Sequence, residues 1–136
     1  MVNTDPWNPD PIPPILELDH VFEALGHPRR RYLLYTLLEE TEWTLWDLAS
    51  KIAAWEYEYD DQPPPEAAVE NVYVSLRHNH VPKLAEDEIV AFSEPEEMIA
   101  PASNTQQVLD VLESAGGSTD TRLETHARGD HSEGQS

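Results

Sequence analysis

The sequence contains no cysteine and almost no lysine. Without cysteine, the chain has neither disulfide bonds nor thiolate metal ligands. It also lacks a signal peptide and any apolar run long enough to span a membrane, so we expect a soluble cytoplasmic protein. Lys51 and Lys83 are the two lysines, and arginines bring the basic total to 8 against 27 acidic residues. The formal net charge of the 136-residue chain is therefore −19.

Such an acidic composition has two interpretations. Dense carboxylates keep a protein hydrated in a salt-saturated cytoplasm, or they bind basic partners and mimic nucleic acid. We favour the first interpretation because acidic residues occur in every segment rather than in one tail. In molar salt the screening length falls to about 3 Å. Net charge then weighs little against DNA binding, and counterion release adds little to it.

Proline and polar residues divide the chain into one domain with flanking segments. Residues 1–14 contain five prolines and are expected to form a disordered tail. The domain is expected over residues 15–102, and residues 117–136 are expected to be a second disordered tail. Residues 103–116 predict an amphipathic helix that packs on its own domain or pairs with a second subunit. We favour a dimer through its apolar side chains, which are Val108, Leu109, Val111 and Leu112.

The first half of the domain predicts three helices. The first should carry Phe22 inward, the second should begin at Pro28, and the third should follow Thr44, whose hydroxyl can cap it. Three arginines, residues 29–31, stand at the start of the second helix, where the helix dipole does not favour cations. This cluster could hold phosphate or form ion pairs within the fold.

Residues 69–92 hold the stretch around which the domain is organised. Apolar residues recur there at the spacing of one helix face: Val69, Val72, Tyr73 and Leu76. Pro82 should end or kink this helix, residues 83–88 should form a polar turn, and two short apolar runs after it predict a β-hairpin. The expected fold is mainly α (α+β): a winged helix-turn-helix with a small C-terminal β-hairpin wing and an extra C-terminal helix.

Two features depart from the usual DNA-reading pattern. The wing carries Glu94, Glu96 and Glu97, where wings that contact phosphate carry Lys or Arg. We therefore do not expect phosphate contact from its tip. The acidic, proline-rich link over residues 56–65 is about twice the three or four residues that join the helices of a typical helix-turn-helix.

Several motifs resemble those of known regulators. Residues 21–38, with an apolar helix, a Gly-His-Pro break and an Arg-rich helix start, resemble the opening of ArsR-type winged-helix regulators. The sequence more closely resembles an uncharacterised winged-helix domain of haloarchaeal proteins. The shared motifs are the Arg-Arg-Arg-Tyr run at residues 29–32, the Ala-Trp-Glu at residues 54–56 and the stretch at residues 72–84. The resemblance covers about residues 18–100 and implies a halophilic setting.

The resemblance also implies a set of DNA-binding residues. The outward side of the recognition helix would carry Asn71, Val74, Ser75, Arg77 and His78, with Arg77 reaching a guanine or a phosphate and Asn71 an adenine edge. Phosphate contacts would come from the helix starts, through Arg29, Arg30 and Thr44. Lys83 would add a further cation if it converges on the same face.

No motif predicts an enzyme or a cofactor. A nucleophile elbow and a Gly-rich phosphate loop are both lacking. His78 and His80 suggest a metal site, but residues two apart on a helix point in different directions. Two hypotheses remain. One is a DNA-binding transcriptional regulator of a halophilic archaeon that acts as a homodimer on double-stranded DNA. The other is a protein-protein interaction module that does not bind DNA; a small-ligand or metal sensor is a third, less supported interpretation.

Overall fold

The computed structural model of the chain describes residues 15–57, 62–116 and 120–129. Within them, the α-helices are α1 (Leu18–Leu25), α2 (Pro28–Glu39), α3 (Leu45–Glu56), α4 (Glu66–Ser75), α5 (Val81–Glu86), α6 (Thr105–Gly116) and α7 (Thr121–Arg128). A π-helical turn, Leu76–His80, joins α4 to α5. The strands are β1 (Trp43–Thr44), β2 (Val90–Ser93) and β3 (Met98–Pro101). No helix of the described residues is long and apolar enough to cross a membrane.

The three strands form one small antiparallel sheet in the order β1-β3-β2. Ile99 is at its centre, paired with Trp43 on one side and Phe92 on the other. Strands β2 and β3 are the two arms of the wing, and β1 joins the wing to the start of α3. The Thr44 hydroxyl accepts a hydrogen bond from the Asp47 amide at 3.1 Å, which caps α3 as the sequence predicted.

The core lies between α2, α3, α4 and the sheet. Its largest fully buried side chains come from almost every element and include Tyr32, Leu34, Leu48, Ile52, Leu76, Leu84, Ile89 and Ile99. The apolar face predicted for residues 69–76 is confirmed, since Val69, Val72 and Leu76 are buried and Tyr73 is half-buried against the core. The predicted fold class is likewise confirmed: a mainly α winged helix-turn-helix with a hairpin wing and an extra helix after it.

Pro82 was expected to end or kink the helix, and the first of these alternatives is wrong, because the helix does not end there. The chain continues through the π-helical turn, in which the Val81 amide donates to the Leu76 carbonyl, and Pro82 then lies in the first turn of α5. Proline is tolerated there because its missing N–H is not needed in the first turn. The extra residue in the π-helical turn relieves the crowding that a proline ring causes in a regular α-helix. The polar turn is consequently shorter than expected, because residues 83–86 are helical.

Phe22 is also placed differently from the prediction. Val21 and Ala24 are the residues of α1 that face the core, whereas Phe22 is 57 % exposed. A helix advances about 100° per residue, so Phe22 falls outside the face centred on Val21 and Ala24. It shares the outer side of α1 with Leu18, which is 59 % exposed.

Helix α6, which the sequence predicted as a possible dimer helix, folds back on its own domain. Val108, Leu109 and Leu112 are buried, and Val111 is half-buried against the core. The prediction that these four side chains form a dimer interface is therefore wrong for at least the three buried ones, because they have no surface left to offer a second subunit.

Part of the expected C-terminal tail is helical. In α7, Leu123 and Ala127 are buried at a spacing of four residues, and the ring nitrogen Nδ1 of His126 lies 2.6 Å from the Tyr32 hydroxyl. The prediction of disorder over residues 117–136 is thus wrong for residues 121–128. The expected tail at residues 1–14, and residues 58–61, 117–119 and 130–136, lie outside the described residues.

Candidate functional site on the recognition helix

By its place in the winged-helix order, α4 with the following π-helical turn is the recognition helix. Its outward side, which we call the recognition face, carries Asn71, Val74, Ser75, Arg77 and His78. Asn71, Val74 and His78 are exposed, and Ser75 and Arg77 are half-buried. The predicted face is therefore turned away from the core, as any role in binding requires.

Arg77 is held by the wing. Its Nη2 donates to Glu94 Oε2 at 2.8 Å, and its Nε donates to Glu97 Oε2 at 3.3 Å. The guanidinium carbon also lies 5.4 Å from the centre of the Phe92 ring. Two carboxylates and an aromatic ring thus fix the cation that was expected to reach DNA.

Glu97 also joins Tyr73 to this cluster. The Tyr73 hydroxyl lies 2.9 Å from each Glu97 carboxylate oxygen, so it donates to that carboxylate. This hydrogen bond, more than burial, raises the pKa of Tyr73. Glu97 therefore connects the wing to two successive turns of the recognition helix.

Arg29 is bound to the end of α3. Its Nε and Nη2 donate to the two Glu56 carboxylate oxygens at 2.6 and 2.8 Å, the two-pronged geometry in which arginine binds a carboxylate most strongly. The hydrogen bond to Glu56 raises the pKa of Arg29. Nη2 also reaches Asn71 Oδ1 at 3.4 Å. Arg29 therefore borders the recognition face, with its charge matched by Glu56.

Arg30 is buried, and the prediction that it contacts phosphate is wrong. It is 5 % exposed, and its Nε donates to His80 Nδ1 at 2.9 Å while its Nη1 donates to the Glu23 carbonyl at 3.2 Å. Burial, followed by the charge of Arg30, lowers the pKa of His80 to about 4. His80 is therefore neutral near pH 7, and the bond from Arg30 assigns its proton to Nε2.

The same contacts separate the two histidines of the His78-x-His80 pattern. His80 is buried against Arg30, with the His27 ring centroid 5.0 Å from its own, whereas His78 is exposed. The two imidazoles therefore cannot share one ion.

Thr44 and Lys83 are also occupied within the fold. The Thr44 hydroxyl caps α3 and is half-buried. The Lys83 ammonium lies 3.6 Å from Glu23 of α1 and 3.9 Å from Glu86. Arg77 thus lies against the wing and Lys83 against α1, so each of these two cations has a carboxylate partner within the domain.

Most cations of the chain have a partner within the domain. Within the described residues, ion pairs with carboxylates are formed by Arg29, Arg31, Arg77, Lys83 and Arg128. Arg30 binds His80, and the Lys51 ammonium donates to the His126 carbonyl. The domain uses its few positive charges to bind its own elements together.

An aromatic cluster borders the recognition face. The Trp46 ring of α3 is 5.6 Å from the Tyr73 ring of the recognition helix, and Trp46 is 41 % exposed. Val74, the next residue after Tyr73, is 53 % exposed. We call Trp46, Tyr73 and Val74 the aromatic patch. The sequence pattern places Trp46 outside the apolar stripe of α3. It does not predict the contact with Tyr73, because that contact depends on how α3 and α4 cross.

Fold and site together define a winged-helix domain with an outward-facing recognition helix. The chain belongs to the family described as a domain of unknown function (DUF7344), which matches residues 22–100, more than half of the chain. The match begins in α1 and ends in β3, so it contains the recognition helix and the wing but neither α6 nor α7. No curated protein and no solved structure matches the chain.

Proposed function

We propose that this domain is a winged-helix protein-interaction module, in which the recognition face and the aromatic patch bind another protein. The main support for the proposal is that the wing binds Arg77. The cation best placed to reach a nucleic acid is bound by Glu94 and Glu97 of the wing. The wing, which in a DNA-binding domain approaches the phosphate backbone, here supplies the opposing charge.

Other charges near the recognition face also favour protein binding over DNA binding. Glu66 and Glu70 of α4 and Glu94 and Glu96 of the wing are exposed. Duplex DNA carries a phosphate charge about every 1.7 Å along its axis, and affinity for it comes largely from Lys and Arg that neutralise phosphates. In molar salt long-range repulsion is screened, but these four exposed carboxylates stand where direct contacts to phosphate would need Lys or Arg.

The patch has the features of a protein-binding surface. Tryptophan and tyrosine are enriched among the residues that dominate binding energy, and an apolar centre with a polar rim is the usual anatomy of an interface. Here the centre is the aromatic patch and the rim is acidic. The expected partner therefore offers an apolar side chain for Trp46 and Val74, surrounded by lysine or arginine.

Co-purification from a halophilic host tests this proposal. We expect the tagged chain to retain one stoichiometric protein partner in molar KCl, and Val74→Asp to lose it. Leu18→Asp is the matched control, because Leu18 is 59 % exposed, close to the 53 % of Val74, but lies on α1. Retention of the partner by Val74→Asp, or its loss by Leu18→Asp, would contradict binding at the recognition face.

A second candidate is the DNA-binding regulator, which the exposed Asn71 and His78 favour. Arg77 and Glu94 are 32 % and 56 % exposed, and ion pairs this exposed contribute about 1 kcal/mol or less. Arg77 could therefore exchange Glu94 for a base or a phosphate. Such a regulator would act as a homodimer, for which the exposed Leu18 and Phe22 of α1 offer an apolar surface.

Selection of genomic fragments in molar KCl tests the second candidate. A regulator would enrich one sequence, and Arg77→Ala and Asn71→Ala would each abolish the enrichment. If the wild-type chain enriches no sequence, or if both variants enrich the same sequence as the wild type, DNA reading by this face is refuted.

A further inference from the structure

Away from the recognition face, α1 and the turn after α5 bring together one imidazole and two carboxylates. We propose that His20, Glu23 and Asp87 form a binding site for a divalent cation of the zinc class. Their ligand atoms all lie within 4.8 Å of one another. His20 and Glu23 are three residues apart on α1, so their side chains share one face of the helix.

The spacing of the best-placed pair already suits a metal ion. The distance between His20 Nδ1 and Asp87 Oδ2 is 3.4 Å. Two ligands about 2.1 Å from a tetrahedral zinc ion lie roughly 3.4 Å apart. Glu23 is the most exposed of the three, with 48 % of its side chain accessible, so its carboxylate can move the short remaining distance.

A second observation concerns the state of His20 Nδ1. This atom is buried and has no hydrogen-bond partner, although Asp87 is near enough for an ion pair. A buried polar atom without a hydrogen-bond partner destabilises the fold, because it has lost its hydrogen bonds to water. A bound cation would remove that cost, because neutral imidazole nitrogen is a common metal ligand.

The turn that carries Asp87 is fixed by the rest of the fold. The Asn104 side-chain amide donates to the Asp87 carbonyl at 2.8 Å, and Asp87 itself ends α5. The Asp87 side chain is 14 % exposed. The site therefore combines a rigid ligand, Asp87, with two ligands on one helix face, and a bound cation would tie α1 to the end of α5.

The ligand types select the class of cation. Calcium and magnesium prefer oxygen ligands alone, whereas an imidazole with two carboxylates suits zinc, nickel, cobalt or manganese. Lys83 competes for Glu23, from which its ammonium lies 3.6 Å away. Because Lys83 also lies near Glu86, it can keep a carboxylate partner when a metal ion takes Glu23.

Calorimetric titration of the metal-free full chain with ZnCl2 in molar KCl tests the site. We expect one equivalent to bind, and His20→Ala and Asp87→Asn each to weaken binding at least tenfold. His78→Ala is the matched control, because it removes an exposed imidazole elsewhere and should leave the affinity unchanged.

Glu23→Gln tests the site independently of the folding of His20→Ala. Glu23 is exposed, so its replacement should not disturb folding even if His20→Ala does. We expect it to weaken binding at least threefold. Absence of saturable one-equivalent binding below millimolar zinc would overturn the proposal, and so would equal affinity in the wild type, Glu23→Gln and Asp87→Asn.

Discussion

Arg77 of the recognition helix donates a hydrogen bond to Glu94 of the wing at 2.8 Å. A second wing carboxylate, Glu97, accepts from both Arg77 and Tyr73. The wing and the recognition helix are thus bound to each other by charge. The wing therefore helps to hold the recognition helix in place. The acidic tip of the wing makes the neighbouring surface negatively charged.

The two wing carboxylates should differ in their contribution to stability. Glu97→Gln weakens the bonds to Tyr73 and Arg77 at a half-buried site, and we expect a loss of about 1–2 kcal/mol in the free energy of unfolding. Glu94→Gln alters one exposed ion pair and should cost less than about 0.5 kcal/mol. Urea unfolding in molar KCl measures both values. Equal losses in the two variants would show that Glu97 is not the central residue of the cluster.

Arg30 and its neighbour Arg29 provide a second matched pair. Arg30→Ala leaves the buried His80 without its donor and opens space in the interior, so we expect a loss of about 3 kcal/mol in the free energy of unfolding. Arg29→Ala removes a partly buried ion pair with Glu56, both of whose side chains are 22 % exposed, and should cost about 1 kcal/mol. The same urea experiment separates them. A larger loss for Arg29→Ala would contradict the internal role of Arg30.

Acid should destabilise the fold through His80. Its pKa is about 4 in the folded protein, held down by burial and by Arg30, against a reference value of 6.5. The unfolded chain therefore binds more protons between pH 6.5 and 4, so stability is retained above pH 6.5 and falls as the pH drops to 4. The loss at this residue is on the order of 3 kcal/mol.

The variant His80→Gln isolates this effect, because glutamine keeps an acceptor for Arg30 and does not titrate. Thermal unfolding of both proteins from pH 7 to pH 4 should give a smaller pH dependence for the variant. Parallel pH profiles would assign the acid sensitivity to other groups.

Local patterns predicted several parts of this fold correctly. The spacing of Val69, Val72 and Leu76 identified the recognition helix and its inward face, and Thr44 marked the start of α3. Both signals are local, because helix periodicity and capping chemistry operate within a few residues. The wing followed from two short apolar runs around Pro95.

The predictions that failed depend on contacts between distant parts of the chain. Arg30 binds His80, 50 residues away, and is buried instead of facing phosphate. The contact of Arg77 with Glu97, 20 residues away, was likewise not predicted from the sequence. No pattern along the chain distinguishes an arginine that will be buried from one that will face a ligand. The π-helical turn before Pro82 and the phase of α1 around Phe22 were missed because packing decides both.

Helix α7 should contribute to the stability of the domain although it lies outside the family match. Leu123→Ala creates a cavity beside α2 and α3, and we expect a loss of about 2–3 kcal/mol in the free energy of unfolding. Arg122→Ala, at an exposed neighbouring position, should change it by less than about 0.5 kcal/mol. If Leu123→Ala is as stable as Arg122→Ala, the docking of α7 described here is incorrect.

Site-specific photo-crosslinking at position 74, in living cells of a halophilic host, tests the central claim most directly. A photoreactive amino acid replaces Val74 at the centre of the recognition face, and a second chain carries it in place of Leu18 on α1. We predict a crosslink to one protein from position 74 that is absent from position 18. A crosslink from position 74 to DNA would contradict the account and establish the domain as a nucleic-acid reader.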